Sequence, residues 1–484
     1  MRRTAVVDLG SNSFRLVVFR YEPGGAWSVW DEIREPVRIA AGMGEDQTLR
    51  PKQIKRALET VRTFVSFCAQ AGVEDVVATG TSALRRAANG AEVVAQIEEA
   101  GLPVRILDER EEAWYGALAI LNSTSVSDGY GLDMGGGSIQ VMRLAGRDLA
   151  ESVSLPFGAV RATEDFDGVK PLRKAVRKAL AELEWFGGDG PLAGIGGSVR
   201  NIAGAAQRLC ELPNGGVQGF KLTTEMLRTV IEELESRDVE GRRALPGINP
   251  DRGDVILAAA VVLETVMAEG GFEAIEITEA GLREGLFFER YLADREPPVF
   301  ADVRAATIEN LVLRYGRDRR HAERVARWAI ALYDGLGEIG AIECDEEDRA
   351  LLQAAAMLHD IGRAVGFDQR HKHARYLIVS DGLPGFDRDA TYDIAEIVRY
   401  VPKGTPDAET RVERLAGVLR VAEQLERGRS GDVDGVAVDE DDGKVEILVD
   451  AQPGASVGLW AARHAVELLS ESLQRDVEVV GRNA

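Results

Sequence analysis

One short pattern occurs twice and narrows the folds open to this chain. Asp8-Leu-Gly-Ser-Asn-Ser-Phe-Arg-Leu-Val17 and Asp133-Met-Gly-Gly-Gly-Ser-Ile-Gln-Val-Met142 share one frame. An acid ends an apolar run, a glycine follows two residues on, small residues fill a turn, and apolar residues lead back. Each copy reads as a strand, a tight turn and a returning strand. Glycine lets backbone approach a ligand and adopt positive φ, so successive N–H groups can face an anion. An acid beside such a nest suits a cation, because Mg²⁺ favours one or two carboxylates plus substrate phosphates. Two copies about a lobe apart predict duplicated α/β lobes that hold a nucleotide or phosphate chain between them.

The first lobe opens with a buried strand at Ala5–Asp8 and its return at Phe14–Arg20, which sets Arg15 within reach of a phosphate in the turn. Apolar spacing predicts a helix over Pro51–Ala71, then a strand at Asp75–Thr79. Gly80-Thr-Ser-Ala-Leu-Arg85 opens a further helix, whose first amides favour anions. After the strand Val104–Leu107, the charged run Asp108-Glu-Arg-Glu-Glu-Ala113 leads into an apolar helix. Glu111 and Glu112 point to different faces of it, so at most one looks into a cleft, where it can orient and deprotonate water. In the second lobe, Gly194-Ile-Gly-Gly-Ser-Val-Arg-Asn201 is a third glycine nest with Arg200 one turn in. Pro250–Met267 reads as a long buried helix with Asp254 near its start, and Ala274–Thr278 as a strand. Gly281 and Gly285 flank Arg283 and bring backbone and charge toward the cleft. Arg295-Glu-Pro-Pro298 reads as a domain boundary.

Composition limits the partners. A net charge of −22 opposes nucleic acid and anionic membrane surfaces, so a polyanionic substrate needs local metal, glycine nests and inward arginines. The three cysteines, Cys68, Cys210 and Cys344, indicate neither a disulfide framework nor a cysteine metal site. Asp8 interrupts the apolar run after Arg2-Arg3, which argues against a signal peptide. The longest apolar stretch, Val255–Leu263, is too short to span a bilayer, so a cytoplasmic location is expected.

Six motifs in order carry a resemblance. Asp-Leu-Gly-Ser-Asn-Ser at 8–13, Gly-Thr-Ser-Ala-Leu-Arg at 80–85, Glu-Glu-Ala at 111–113, Asp-Met-Gly-Gly-Gly-Ser at 133–138, Gly-Gly-Ser at 196–198 and Gly-Leu-Arg-Glu-Gly at 281–285 resemble the exopolyphosphatase and guanosine pentaphosphate phosphohydrolase family. The resemblance covers about residues 4–290 and implies an α/β two-lobed core of the actin, hexokinase and Hsp70 (ribonuclease H-like) class. Its lobes are expected over 1–125 and 126–295.

Carried onto this sequence, the resemblance makes Glu112 the general base. It assigns phosphate binding to Gly10, Ser11, Asn12, Ser13, Gly135, Gly136, Gly137, Ser138, Gly196, Gly197 and Ser198, with Arg15 and Arg85. It places Mg²⁺, replaceable by Mn²⁺, at Asp133 with Asp8 and Gln140. The family usually continues Thr-Glu after Gly-Gly-Gly-Ser; here Ile139 and Gln140 follow, and a glutamine brings neither charge nor basicity. The implied activity is release of terminal phosphate from inorganic polyphosphate by in-line attack of water. Guanosine pentaphosphate is the close alternative. A kinase of the same superfamily lacks an acceptor-side signature here, and a polyphosphate or alarmone binding protein without turnover follows from Gln140.

The remainder differs in character. His321 opens a helix over His321–Leu336, His359-Asp360 closes one over Glu346–Ile361, and His371 and His373 follow a loop. This order resembles the all-α HD domain of metal-dependent phosphohydrolases, expected over 300–430. The implied second metal set is His321, His359 and Asp360, completed on the helix Arg411–Glu426 by Glu423 where the resemblance leads to Asp. A structural or dimerising role, and hence a homodimer, is expected ahead of an independent active site. From 431 to 484 a small α/β unit is expected. Val436–Val438, an acidic turn over Asp439–Gly443 and Val445–Val449 form its hairpin, and one amphipathic helix over Ser456–Leu473 follows.

Overall fold

The computed structural model describes every residue except 45, 213, 214, 403, 405–409 and 484. Packing divides the chain into two compact units, Met1–Arg304 with Pro384–Asp387, and Ala305–Leu383 with Arg388–Ala484.

The first unit is built on two sheets of one plan. In the first, β1 (Arg2–Leu9), β2 (Phe14–Tyr21), β3 (Trp27–Glu35), β4 (Asp75–Gly80) and β5 (Val104–Ile106) lie in the order β3-β2-β1-β4-β5. In the second, β6 (Gly129–Met134), β7 (Ile139–Ala145), β8 (Asp148–Leu155), β9 (Leu192–Ile195), β10 (Phe220–Thr223) and β11 (Ala274–Ile277) lie in the order β10-β11-β9-β6-β7-β8. Read from β8 to β11, the second order repeats the first, and β10 is an added antiparallel edge strand. In each sheet the first three strands are antiparallel, and β4 and β5 in the first sheet, like β9 and β11 in the second, run parallel to the sheet's first strand. β1 is central and buried, which explains its unbroken apolar run from Ala5 to Val7.

The register shows why the duplicated motif matters. Asp8 on β1 faces Arg15 across the first hairpin, and Asp133 on β6 faces Gln140 across the second. Equivalent acids therefore sit at equivalent strand ends, with a cation opposite one and a neutral amide opposite the other.

The last helix of each lobe crosses to the other. Helix Glu109–Leu121 follows β5, yet its Ala113, Ala117 and Ile120 pack with Met142, Ala193 and Ile195 of the second sheet. Helix Leu282–Tyr291 follows β11, and its Phe287 stacks on Phe19 of β2 with ring centroids 4.2 Å apart. The lobes are thus fastened by exchanged helices, and burying an aromatic such as Phe287 at the second crossing is worth about 2–3 kcal/mol.

Several expected boundaries move. The helix expected from Pro250 begins at Ile256 and runs to Gly270, because Pro250–Arg252 is a separate 3₁₀ turn capped by Asn249. That break lets Arg252 turn back toward the glycine nest. Edge strands β3 and β8, with no clean alternation of burial, carry no periodic signal in the sequence.

In the second unit, helices Arg319–Glu338, Glu346–Leu358, Arg370–Asp381, Arg388–Tyr400 and Thr410–Leu425 pack together. His371 and His373 lie on a helix rather than only after a loop. The expected acidic turn is shorter: Asp439–Asp441 belong to β12 (Val433–Asp441), which pairs with β13 (Lys444–Ala451) around Asp442-Gly443. The single helix expected over 456–473 is two, Ser456–Arg463 and Glu467–Leu473, so that Ala461, Ala462, Leu468 and Leu469 are all buried. A third strand, β14 (Val477–Asn483), runs parallel to β13.

Candidate active site

The two duplicated hairpins line one cavity of about 150 Å³ in the first unit. Asp8, Gly10, Ser11, Asn12, Ser13 and Arg15 come from the first lobe, and Asp133, Gly135, Gly136, Gly137 and Ser138 from the second. Glu112, Gly196 and Gly197 join them. The second turn is closed by the Gly135 N–H donating to the Ser138 carbonyl at 3.0 Å.

The choice between Glu111 and Glu112 is made by a capping box. The Glu111 N–H donates to Asp108 Oδ1 at 2.8 Å, and the Asp108 N–H donates back to Glu111 Oε2 at 2.9 Å. Glu111 is thereby held at the helix start, and Glu112, one residue on, faces the cavity. Arg85 is not a lining residue. Its Nη1 donates to Glu112 Oε2 at 3.1 Å and to the Leu107 carbonyl at 2.6 Å, so it orients the carboxylate from behind.

Four arginines line the cavity: Arg15, Arg200, Arg252 and Arg283. Arg252 carries no motif signal in the sequence. It is placed by the 3₁₀ turn, and its Nη1 donates to Ser198 Oγ at 2.9 Å, so Ser198 serves an arginine and lies outside the lining. Gly197 makes the approach possible, since a Cβ there would lie 2.3 Å from Arg252 Nη2.

Burial sets the charge states. It pushes Asp133 up to about 7, helped by the charges of Glu112 and Asp8 and opposed by Arg200. Burial also raises Asp8 against Arg283 and Arg15, and raises Glu112 against its partner Arg85. Arg15 is pulled down to about 9 by burial and by the neighbouring Arg283, Arg200 and Arg34. Like charges are crowded on both sides of the cavity, as at sites built to hold a polyanion with a cation.

A stability test follows from the sign of the Asp133 shift. Its native value lies above the ordinary 3.8, so native protein holds this proton where unfolded protein has lost it. Metal-free protein is therefore expected to lose stability as pH rises from about 4 to about 7, with no further loss from this group above that. Asp133→Asn removes that part of the slope. Thermal melts in chelator at about pH 5 and about pH 8 check it, and parallel profiles for both proteins would contradict it.

Gln140 is 1% exposed and is not among the lining residues. Its Nε2 donates to Ser154 Oγ at 3.2 Å, while its Oε1 is buried with no hydrogen-bond partner.

A second, larger cavity of about 670 Å³ shares Ser11, Asn12, Gly136 and Gly137 with the first. Its other walls mix Arg38, Arg86 and Arg161 with Glu164, Asp165, Asp251 and Asp254. Arg161 is paired with Asp165 at 2.8 Å.

Comparison with known proteins identifies the chain. A model described as the Ppx/GppA phosphatase family matches residues 17–293, more than half of the sequence. The chain belongs to the Ppx/GppA phosphatase family. A model of Ppx/GppA phosphatase domain III matches residues 303–449. The Aquifex aeolicus member of the Ppx/GppA family is 24% identical, covering 61% of this chain and 99% of its own, with a TM-score of 0.54. An exopolyphosphatase from Cytophaga hutchinsonii is 20% identical, covering 60% and 98%, with a TM-score of 0.55. At these identities the likeness carries the fold, and the duplicated sheets are those of the two-lobed core of this phosphatase family. No helix among the described residues is long and apolar enough to cross a membrane.

In the domain III region the ligating atoms of His321, His359 and Asp360 lie within 4.8 Å of one another, the one such group of histidine, cysteine or acid side chains among the described residues. Both ring nitrogens of His321 and Nε2 of His359 are buried without a partner. Glu423, expected as a fourth member, stands outside the group and faces Arg370 at 3.7 Å and Arg427 at 3.9 Å. Asp360 is itself tied to Arg429 at 2.6 Å, which competes with a cation.

Proposed function

We propose that this chain releases the terminal phosphate of a linear phosphoanhydride, with inorganic polyphosphate as substrate. The observation that carries the reading is Glu112, facing a small cavity in which glycine turns from both lobes meet four arginines. The phosphate oxygens would be received by the turns at Gly10–Ser13 and Gly135–Ser138 and by the guanidinium groups. Glu112, oriented by Arg85, accepts a proton from a water in line with the terminal phosphorus. The water oxygen bonds to phosphorus, the bridging P–O bond breaks, and the remaining chain leaves one unit shorter.

The buried acids fit a hard divalent cation, because a 2+ charge offsets the burial, and the repulsion from Glu112 and Asp8, that raise Asp133. Asp133 and Asp8 would hold Mg²⁺ or Mn²⁺, and Gln140 would contribute through its unpartnered Oε1. The ion's chemistry here is neutralisation of charge on the phosphoryl oxygens. Gln140→Glu is expected to lower the Mg²⁺ concentration for half-maximal activity. An unchanged metal titration would put position 140 outside the metal's surroundings.

The larger cavity favours guanosine pentaphosphate as a second reading. Four acids against three arginines repel a continued polyanion but accept an uncharged nucleoside. Phosphate release from long-chain polyphosphate and from guanosine pentaphosphate, ranked by kcat/KM, tests the two. Binding of either without release would identify a non-hydrolysing binding protein instead. The second unit is read as structural or dimerising, with Arg429 seated on Asp360.

A further inference from the structure

The edge strand β3 adds charge to the cleft that no motif accounts for. Glu32 Oε1 lies 3.1 Å from Arg283 Nη1 and 3.7 Å from Arg15 Nη1, so one carboxylate is shared by two lining arginines. Glu32 is 44% exposed, whereas Arg15 is 16% and Arg283 8% exposed. Two residues along, on the same strand face, Arg34 stands directly opposite Arg15 in the β2–β3 register. Like charges in that position destabilise a sheet unless an anion compensates them. Arg34 Nε and Nη2 are buried and have no hydrogen-bond acceptor. Its charge also bears on Arg252, which is pulled down to about 10 by burial and then by Arg34 and Arg200. At this corner Arg15 and Arg283 share one half-exposed glutamate, with Glu284 4.0 Å from Arg283 as well, and the buried donors of Arg34 are left unfilled.

We propose that β3 forms a second oxyanion subsite of the cleft, in which Glu32 stands in for a phosphoryl group until substrate arrives. The occupant is an inner phosphoryl group of a linear phosphoanhydride, or orthophosphate itself. A phosphoryl group brings more acceptor oxygens and more charge than one carboxylate, so it can bridge Arg15 and Arg283 and also reach the free N–H groups of Arg34. Glu32 can leave because its half-exposed carboxylate turns back to solvent while the phosphoryl oxygens take over the buried Arg15 and Arg283, so no buried charge is left uncompensated. When the cleft is empty, Glu32 keeps the buried arginines neutralised; when a chain enters, it competes. The inference rests on reading the cleft as a phosphate-chain site.

The test measures calorimetric binding of inorganic tripolyphosphate and of orthophosphate to the full chain. Glu32→Gln is expected to tighten tripolyphosphate by about fivefold, because a competing like charge is removed. Arg34→Met is expected to weaken it by about tenfold, the effect of losing charge-assisted donors, with Arg34→Lys intermediate. Weaker binding in Glu32→Gln would show that Glu32 props the arginines in place and would overturn the stand-in role. Unchanged binding in Arg34→Met would overturn the subsite. Failure of the parent protein to bind either anion would instead defeat the reading of the cleft.

Discussion

Glu112→Gln is expected to reduce phosphate release by about 10²–10⁴-fold while leaving tripolyphosphate binding within about twofold of the parent. The amide keeps the shape of the carboxylate and its contact with Arg85, but it cannot accept the proton of the attacking water. Burial raises the Glu112 carboxyl, which brings its basicity nearer to neutral pH, and Arg85 limits that rise. The prediction therefore separates chemistry from binding. Stopped assays of phosphate release, with calorimetry on the same preparations, check it. Hydrolysis at the parent rate would remove Glu112 from the reaction.

Gly285→Ala is expected to damage both stability and turnover, although Gly285 does not line the cavity. A Cβ at this position would lie 2.0 Å from the Tyr115 carbonyl oxygen, where the two exchanged helices meet backbone to backbone. Tyr115 is on the helix that carries Glu112, so forcing these helices apart moves the base. Overpacking of this kind costs about 1–3 kcal/mol, and a displacement of about 1 Å at a reacting group costs about 10²-fold in rate. Gly281→Ala is the control: a Cβ there meets only Glu284 Oε2 at 3.8 Å, and its melting temperature is expected to stay near that of the parent. Equal melting temperatures for both variants would contradict the role given to the crossing.

These two glycines show what was legible in the sequence. Gly281-Leu-Arg-Glu-Gly285 stands out as a motif, and sequence reasoning takes both glycines as serving the cleft. Only the packing of helices far apart in sequence shows that Gly285 serves the joint between lobes. The duplicated hairpins were readable because strand, turn and return are local, and β1–β2 and β6–β7 lie where the repeat places them. The choice of Glu112 over Glu111 was local too, but it needed the capping box, in which Asp108 and Glu111 exchange bonds. Arg252 was not readable, since its place depends on a 3₁₀ turn interrupting an apolar stretch. Edge strands β3 and β8 escaped because their exposed and half-buried residues do not alternate cleanly. Arg34 and Glu32 were missed with them. Glu423 failed for a different reason: helix order gave a plausible ligand, while its neighbours Arg370 and Arg427 claim it.

The central claim is that water, held by Glu112, attacks the terminal phosphorus. The most direct test is turnover of polyphosphate and of guanosine pentaphosphate in ¹⁸O-labelled water with Mg²⁺, reading the label by mass spectrometry. The account predicts that each released orthophosphate carries one solvent oxygen and the shortened chain carries none. Label in the remaining chain, or phosphate passed to an added acceptor in place of water, would contradict it.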